Sequence, residues 1–160
     1  MRLVWAILLV LAGSANADTP LALPADYTTT VQSATLTASV AGGFTRIIRT
    51  DGSLDWSIPR WIRFAYLSPD GRALLALADS GNLVGTVDPD QIVLTLYRAT
   101  DPDPLEATLS ALMNPADMPQ TTSHYAWLQS ISWESDGWTL ELTDGQRLSV
   151  DPVSGVFTRL

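Results

Sequence analysis

From Tyr125 to the end of the chain, apolar and polar residues take turns. Tyr125, Trp127, Ile131 and Trp133 fall on one face of an extended run. Beyond Asp136-Gly137, Trp138, Leu140 and Leu142 alternate with Thr139, Glu141 and Thr143. Leu148 and Val150 alternate with Arg147, Ser149 and Asp151, and Val156 to Leu160 supplies a last short run. Period-two alternation puts one face of a strand on a core and the other in water. The pattern predicts a four-stranded antiparallel meander in which Trp127, Trp133 and Trp138 pack inward. Upstream, strands are expected at Tyr27–Val31, Thr35–Val40, Phe44–Thr50, Trp61–Leu67, Arg72–Ala78, Leu83–Val87 and Ile92–Ala99. Ala73 to Ala78 is apolar on both faces and belongs in the centre of the fold.

Gly-containing turn signals punctuate these runs, at Asp51-Gly52, Pro69-Asp70-Gly71, Ser80-Gly81-Asn82, Asp136-Gly137, Asp144-Gly145 and Ser154-Gly155. Glycine supplies the positive φ that tight hairpins need, and Asp or Asn tolerates the same geometry. One helix is expected near 103–113. Asp103 can cap it, Pro104 suits its first position, and Leu105, Leu109, Leu112 and Met113 form a stripe at helical spacing that Pro115 ends. The fold class is therefore all-β: an antiparallel meander forming a β-sandwich or small β-barrel, with one short helix. Asn114 to Ser123 reads as a long loop.

Ser68-Pro69-Asp70-Gly71-Arg72, followed by an apolar strand, resembles the hairpin turn of β-propeller repeats. The resemblance covers about twenty residues, and a propeller needs at least four blades of roughly 40–45 residues. The 143 residues that follow the first seventeen are too few for them, so the resemblance implies no propeller function.

The first seventeen residues change the setting. Arg2, the apolar run Leu3–Leu11 and the small-x-small triplet Ala15-Asn16-Ala17 form a signal peptide pattern with cleavage near Ala17. The run is shorter than the ~20 residues of a membrane span. Ser14 stands where a lipoprotein precursor carries its cysteine. The expected organisation is a signal peptide at 1–17, an extended lead-in at 18–26 and a single β domain at 27–160, working in the periplasm or outside the cell. The chain has no cysteine, so packing must stabilise it and thiol chemistry is excluded. Its formal net charge is −8, with every basic residue an arginine, which disfavours nucleic-acid binding.

Candidate chemistry is sparse. His124 is the sole histidine, which rules out a multi-histidine metal site, and no Gly-x-Ser-x-Gly elbow accompanies it. Asp88-Pro89-Asp90 and Asp101-Pro102-Asp103 pair carboxylates, but the Asp-x-Asp-x-Asp-Gly spacing of a calcium loop is missing. Of the three glutamates, Glu106 belongs to the expected helix cap, Glu134 to a hairpin end and Glu141 to a solvent face. No catalytic, metal or cofactor site is assigned. The strongest concentration of binding chemistry is Asp55 to Tyr66, where Trp56, Arg60, Trp61 and Arg63 combine the residue types most enriched in binding hot spots. The plainer expectation is that Arg60 and Arg63 pair with nearby Asp residues or lie on the rings. The function these features suggest is an exported, non-enzymatic binding or accessory protein. Its partner would be an envelope or secreted protein or a small ligand. The alternatives are a small exported hydrolase, or a secreted enzyme inhibitor using the Asn114–Ser123 loop.

Overall fold

A computed structural model describes residues 23–160. The expected signal peptide at 1–17, and the lead-in as far as residue 22, lie outside the described residues. The rest is all-β, in antiparallel sheets.

The first sheet is a meander of β1 (Tyr27–Val31), β2 (Ala34–Ser39), β3 (Phe44–Arg49) and β4 (Asp55–Ile58), in that order. The central sheet is built from β5 (Ala65–Leu67), β6 (Ala73–Leu77), β8 (Ile92–Arg98) and β9 (Asp101–Thr108). Between β6 and β8 the chain makes a short β7 (Leu83–Val84), which pairs with β10 (Tyr125–Ala126). The third sheet is the expected C-terminal meander: β11 (Leu128–Glu134), β12 (Gly137–Leu142), β13 (Arg147–Val150) and β14 (Phe157–Arg159). No helix among the described residues is long and apolar enough to cross a membrane.

Strand β6 explains how the layers stack. Its five residues are all buried, and they divide by parity. Leu74 and Ala76 join a smaller core with Leu36, Ile47 and Ile58 of the first sheet. Ala73, Leu75 and Leu77 join a larger core with Trp138, Leu140 and Leu148 of the third sheet. The central sheet is thus covered on both faces, as the continuous apolar run predicts. The outer faces of its neighbours are polar: Thr28, Thr30, Thr37, Arg46, Asp55 and Ser57 are exposed on one side, Ser130, Ser132, Glu134 and Arg147 on the other. Alternation in the outer layers ends the stack at three sheets, because neither presents a further apolar face to bury.

Three local expectations need correction. The stretch 103–108 is strand, and the helix α1 occupies only Leu109–Leu112, with Thr108 at its N-cap. Asp103 donates its own N–H to the Asp101 carboxylate instead of capping a helix. The prolines that suggested a helix start sit where β9 bulges: its register against β8 shifts between Leu96/Leu105 and Arg98/Asp101. A bulge on an edge strand is where a sheet tolerates residues without an N–H. Secondly, Tyr125–Trp133 is not one strand. It breaks at Trp127, whose backbone N–H donates to the Asn82 carbonyl (3.1 Å) and whose indole donates to Gly81 (3.1 Å). Thirdly, Trp61–Leu67 pairs as strand only over β5, and Leu83–Val87 only over β7.

Of the tryptophans expected inside, Trp127 and Trp138 are fully buried, while Trp133 is half-buried and meets Trp138 edge-on at 5.0 Å. A register shift between Leu128 and Ser130 buries Trp127 and Leu128 in succession and leaves Gln129 and Ser130 both exposed, after which Ile131 and Trp133 return to the inward face opposite Leu140 and Trp138.

Candidate binding cleft

Strand β4 is the free edge of the first sheet, and Pro59 ends its pairing because it has no N–H to offer. Trp56 lies opposite Ile47, on the inward face of the strand. Its indole N–H donates to the Gly71 carbonyl at 2.9 Å, tying β4 to the turn between β5 and β6. After Pro59 the chain is pinned again. Thr45, buried in β3, donates its hydroxyl to the Arg60 carbonyl (2.9 Å) and accepts the Ile62 N–H (3.1 Å). These bonds fix Arg60 at the mouth of a gap between β4 and the β8–β9 hairpin.

That gap is a cleft of about 440 Å³. Trp56, Pro59 and Arg60 form one wall, and Tyr97, Pro102 and Pro104 the other. Arg60 reaches across it to the Tyr97 hydroxyl at 3.4 Å, a long contact, and forms no ion pair among the described residues. Arg98, at the back, is already engaged: it donates to the Asp101 carboxylate and to the Val153 carbonyl (3.0 Å), and its side chain is 15% exposed. The cleft therefore combines rigid apolar walls with one guanidinium free to take a ligand's carboxylate or another acceptor.

The four residues singled out in the sequence do not act together. Trp56 and Arg60 line this cleft, whereas Trp61 and Arg63 line a separate hollow of about 260 Å³ with Leu23, Asp26, Tyr27 and Phe64. The fully buried Ile62 divides them. Its carbonyl accepts the Tyr27 hydroxyl at 2.7 Å, which anchors the backbone between the two sites. Within the hollow, Trp61 donates to the Ala25 carbonyl (3.2 Å) and the Arg63 guanidinium lies 5.4 Å from the Trp61 ring centroid. That is the cation–π arrangement anticipated for these arginines. Sequence reasoning missed Tyr97, Pro102 and Pro104. They reach the cleft from another hairpin, and no local pattern announces that approach.

The remaining candidates have local partners. His124 Nδ1 lies 2.7 Å from the hydroxyl of its neighbour Ser123, within the loop before β10. Asp88 accepts the Asp90 N–H, and Asp101 the Asp103 N–H, so both acidic pairs shape turns. Glu134 accepts from Ser132, Thr139 and Arg147 on the outer face of the third sheet. No group of three or more His, Asp or Glu side chains among the described residues is placed to hold a metal ion.

No protein-family model matches the chain, and no curated protein matches it.

Proposed function

We propose that this is an exported, non-enzymatic binding protein whose cleft between β4 and the β8–β9 hairpin takes an apolar ligand bearing a carboxylate. One observation carries the proposal: a guanidinium without an ionic partner, Arg60, stands at the rim of a cleft walled by Trp56, Tyr97 and three prolines. Aromatic and proline walls lose little conformational freedom when a ligand seats, and the arginine selects for an anionic end. The volume falls within the range of small-molecule sites. The same chemistry suits an apolar side chain followed by an acidic residue on a partner protein. Export rests on the Arg2–Ala17 leader pattern.

The test uses 1-naphthoate and its neutral counterpart 1-naphthalenemethanol, titrated into the mature protein and followed by two-dimensional NMR. Saturable shifts at Trp56 and Tyr97 with naphthoate, weaker with the alcohol, are expected. Arg60→Gln should cost about tenfold in naphthoate affinity, the size of a lost charged hydrogen bond. No saturable shift, or equal affinity in Arg60→Gln, overturns the proposal. Export is checked separately by the mass of the protein recovered from the periplasmic or culture fraction, which should begin at Asp18.

A further inference from the structure

A second and larger cleft, of about 620 Å³, opens where the hairpin turns of all three sheets converge. Its chemistry differs from that of the Arg60 site. Gln32 comes from the β1–β2 turn, Arg72 follows the β5–β6 turn, Thr100 comes from the β8–β9 turn, and Trp133, Ser135 and Asp136 come from the β11–β12 hairpin. Here an aromatic ring is ringed by hydroxyl, amide, guanidinium and carboxylate groups.

Two features bear on what these groups can bind. Most turn aspartates are satisfied internally: Asp51, Asp70, Asp88, Asp101, Asp144 and Asp151 each accept a backbone N–H within their own loop. The Asp136 carboxylate, the Gln32 amide and the hydroxyls of Thr100 and Ser135 make no hydrogen bond within the described residues. The indole N–H groups of Trp56, Trp61 and Trp127 each donate to a carbonyl, whereas those of Trp133 and Trp138 donate to no described residue, and of these two only Trp133 lines the cleft. Several open donors and acceptors therefore stand beside the Trp133 ring in this cleft. Its backbone is also set: Gln32 (φ 48°) and Ser135 (φ 52°) are the non-glycine residues with positive φ among the described residues, and both line this cleft. Such conformations persist only where the surroundings hold them, and they gather at functional sites.

We infer that this cleft is a binding site for a neutral saccharide, with Trp133 as the platform for one sugar ring. The face of an indole carries partial negative charge and attracts the polarised C–H groups along one side of a pyranose. The hydroxyls at the sugar's edge both donate and accept, which the mixed set Gln32, Thr100, Ser135 and Asp136 can match. Neutrality follows from the balance of charge. Arg72 lies 3.8 Å from Asp70, and Arg98 is engaged with Asp101, so the cleft presents no uncompensated cation to an acidic sugar. The net charge of −8 works against acidic glycans as well.

The experiment titrates the mature protein with cellobiose, maltose and N,N′-diacetylchitobiose at millimolar concentrations, following the Trp133 indole signal and the backbone amides by NMR. A saturable shift of Trp133, with Gln32, Thr100 and Asp136, is expected for at least one disaccharide. Trp133 packs on Trp138, so replacing it would confuse binding with stability. The informative variants are Asp136→Ala and Gln32→Gly, the latter keeping a residue that accepts positive φ. Each should weaken that titration about tenfold while the circular dichroism spectrum stays unchanged. Arg60→Gln, in the other cleft, should leave it intact, which separates this site from the proposed carboxylate site. Absence of a saturable Trp133 shift with all three disaccharides, or undiminished binding in both turn variants, overturns the inference.

Discussion

The central sheet packs against a smaller core on one face and a larger, tryptophan-containing core on the other. Against the first sheet, the smaller core relies on Ala34, Ala38 and Ala76 beside Leu36, Ile47 and Leu74. Against the third sheet, the larger core takes Trp127, Trp138, Met113 and a set of leucines. Layers separated by alanines come close together: a Cβ at position 71 would lie 2.7 Å from that of Ala34. With less apolar area to bury, the smaller side is fixed by directed bonds, from Trp56 to Gly71, from Tyr27 to Ile62 and through Thr45. The larger side has such bonds too, from Trp127 to Gly81 and from Asn82 to Leu128, and adds more buried area, at roughly 25 cal/mol per Å². The cleft beside β4 lies on the thinner side, where Trp56 has no thick core to sink into.

This contrast is broken most directly by Trp138→Ala. Trp138 is 1% exposed and touches both the larger core and Trp133. Its loss should destabilise the protein by about 3–5 kcal/mol, seen as a lower urea midpoint. If the two cores form one cooperative unit, hydrogen exchange in β2 and β3 should accelerate along with that in β12 and β13. Acceleration confined to the third sheet would show that the layers unfold separately. A smaller effect, of a different kind, is expected from Gly71→Ala. Position 71 has φ 73°, and the new methyl meets Ala34 with no flexible side chain to yield. The combined cost is about 2 kcal/mol. Because the Gly71 carbonyl holds the Trp56 indole, this variant should also move the Trp56 N–H signal, which Trp138→Ala should do far less.

The same contrast explains what could be read from the sequence. The third sheet is legible because each of its strands faces a thick core on one side and water on the other, so Trp138, Leu140 and Leu142 alternate with polar residues. Ala73–Ala78 is legible as central because both its faces are covered. Strands β4 and β9 are not, for local reasons. Four residues ending at Pro59 give too short a window for a period, and Pro102 and Pro104 suggest a helix start until the bulge against β8 is known. Half of the cleft beside β4 was legible: Trp56 and Arg60 stand out by residue type, whereas Tyr97, Pro102 and Pro104 reach it only through tertiary approach. The larger cleft was hidden for a related reason. Trp133 keeps its inward parity at the end of β11, and the turns that meet beside it come from distant parts of the chain, an approach no local pattern announces.

The gentlest way to sharpen the comparison is acid. In the first sheet, hydrogen bonds from Arg46 hold the Asp55 carboxyl below the ordinary carboxylate range, and the Ser53 hydroxyl and N–H do the same for Asp51. In the third sheet, the Ser154 hydroxyl and the Val153 N–H lower Asp151. A carboxyl whose pKa is lower in the folded state stabilises the fold above the unfolded value of about 4 and loses that contribution as pH falls through the folded one. Stability should therefore be flat above the ordinary carboxylate range and decline below it. All three groups are exposed, so each contribution is small and screened by solvent. Asp51→Asn with Asp55→Asn removes two of these linkages from the thinner side, and Asp151→Asn removes one from the thicker. The double variant should flatten the acid limb of urea midpoint against pH more than the single one. Added salt should narrow that difference, because the Arg46–Asp55 pair is ionic and exposed whereas Asp151 is held by neutral donors. An acid limb unaltered by all three substitutions would move the pH dependence to other carboxylates and detach it from the turns that frame the two outer sheets.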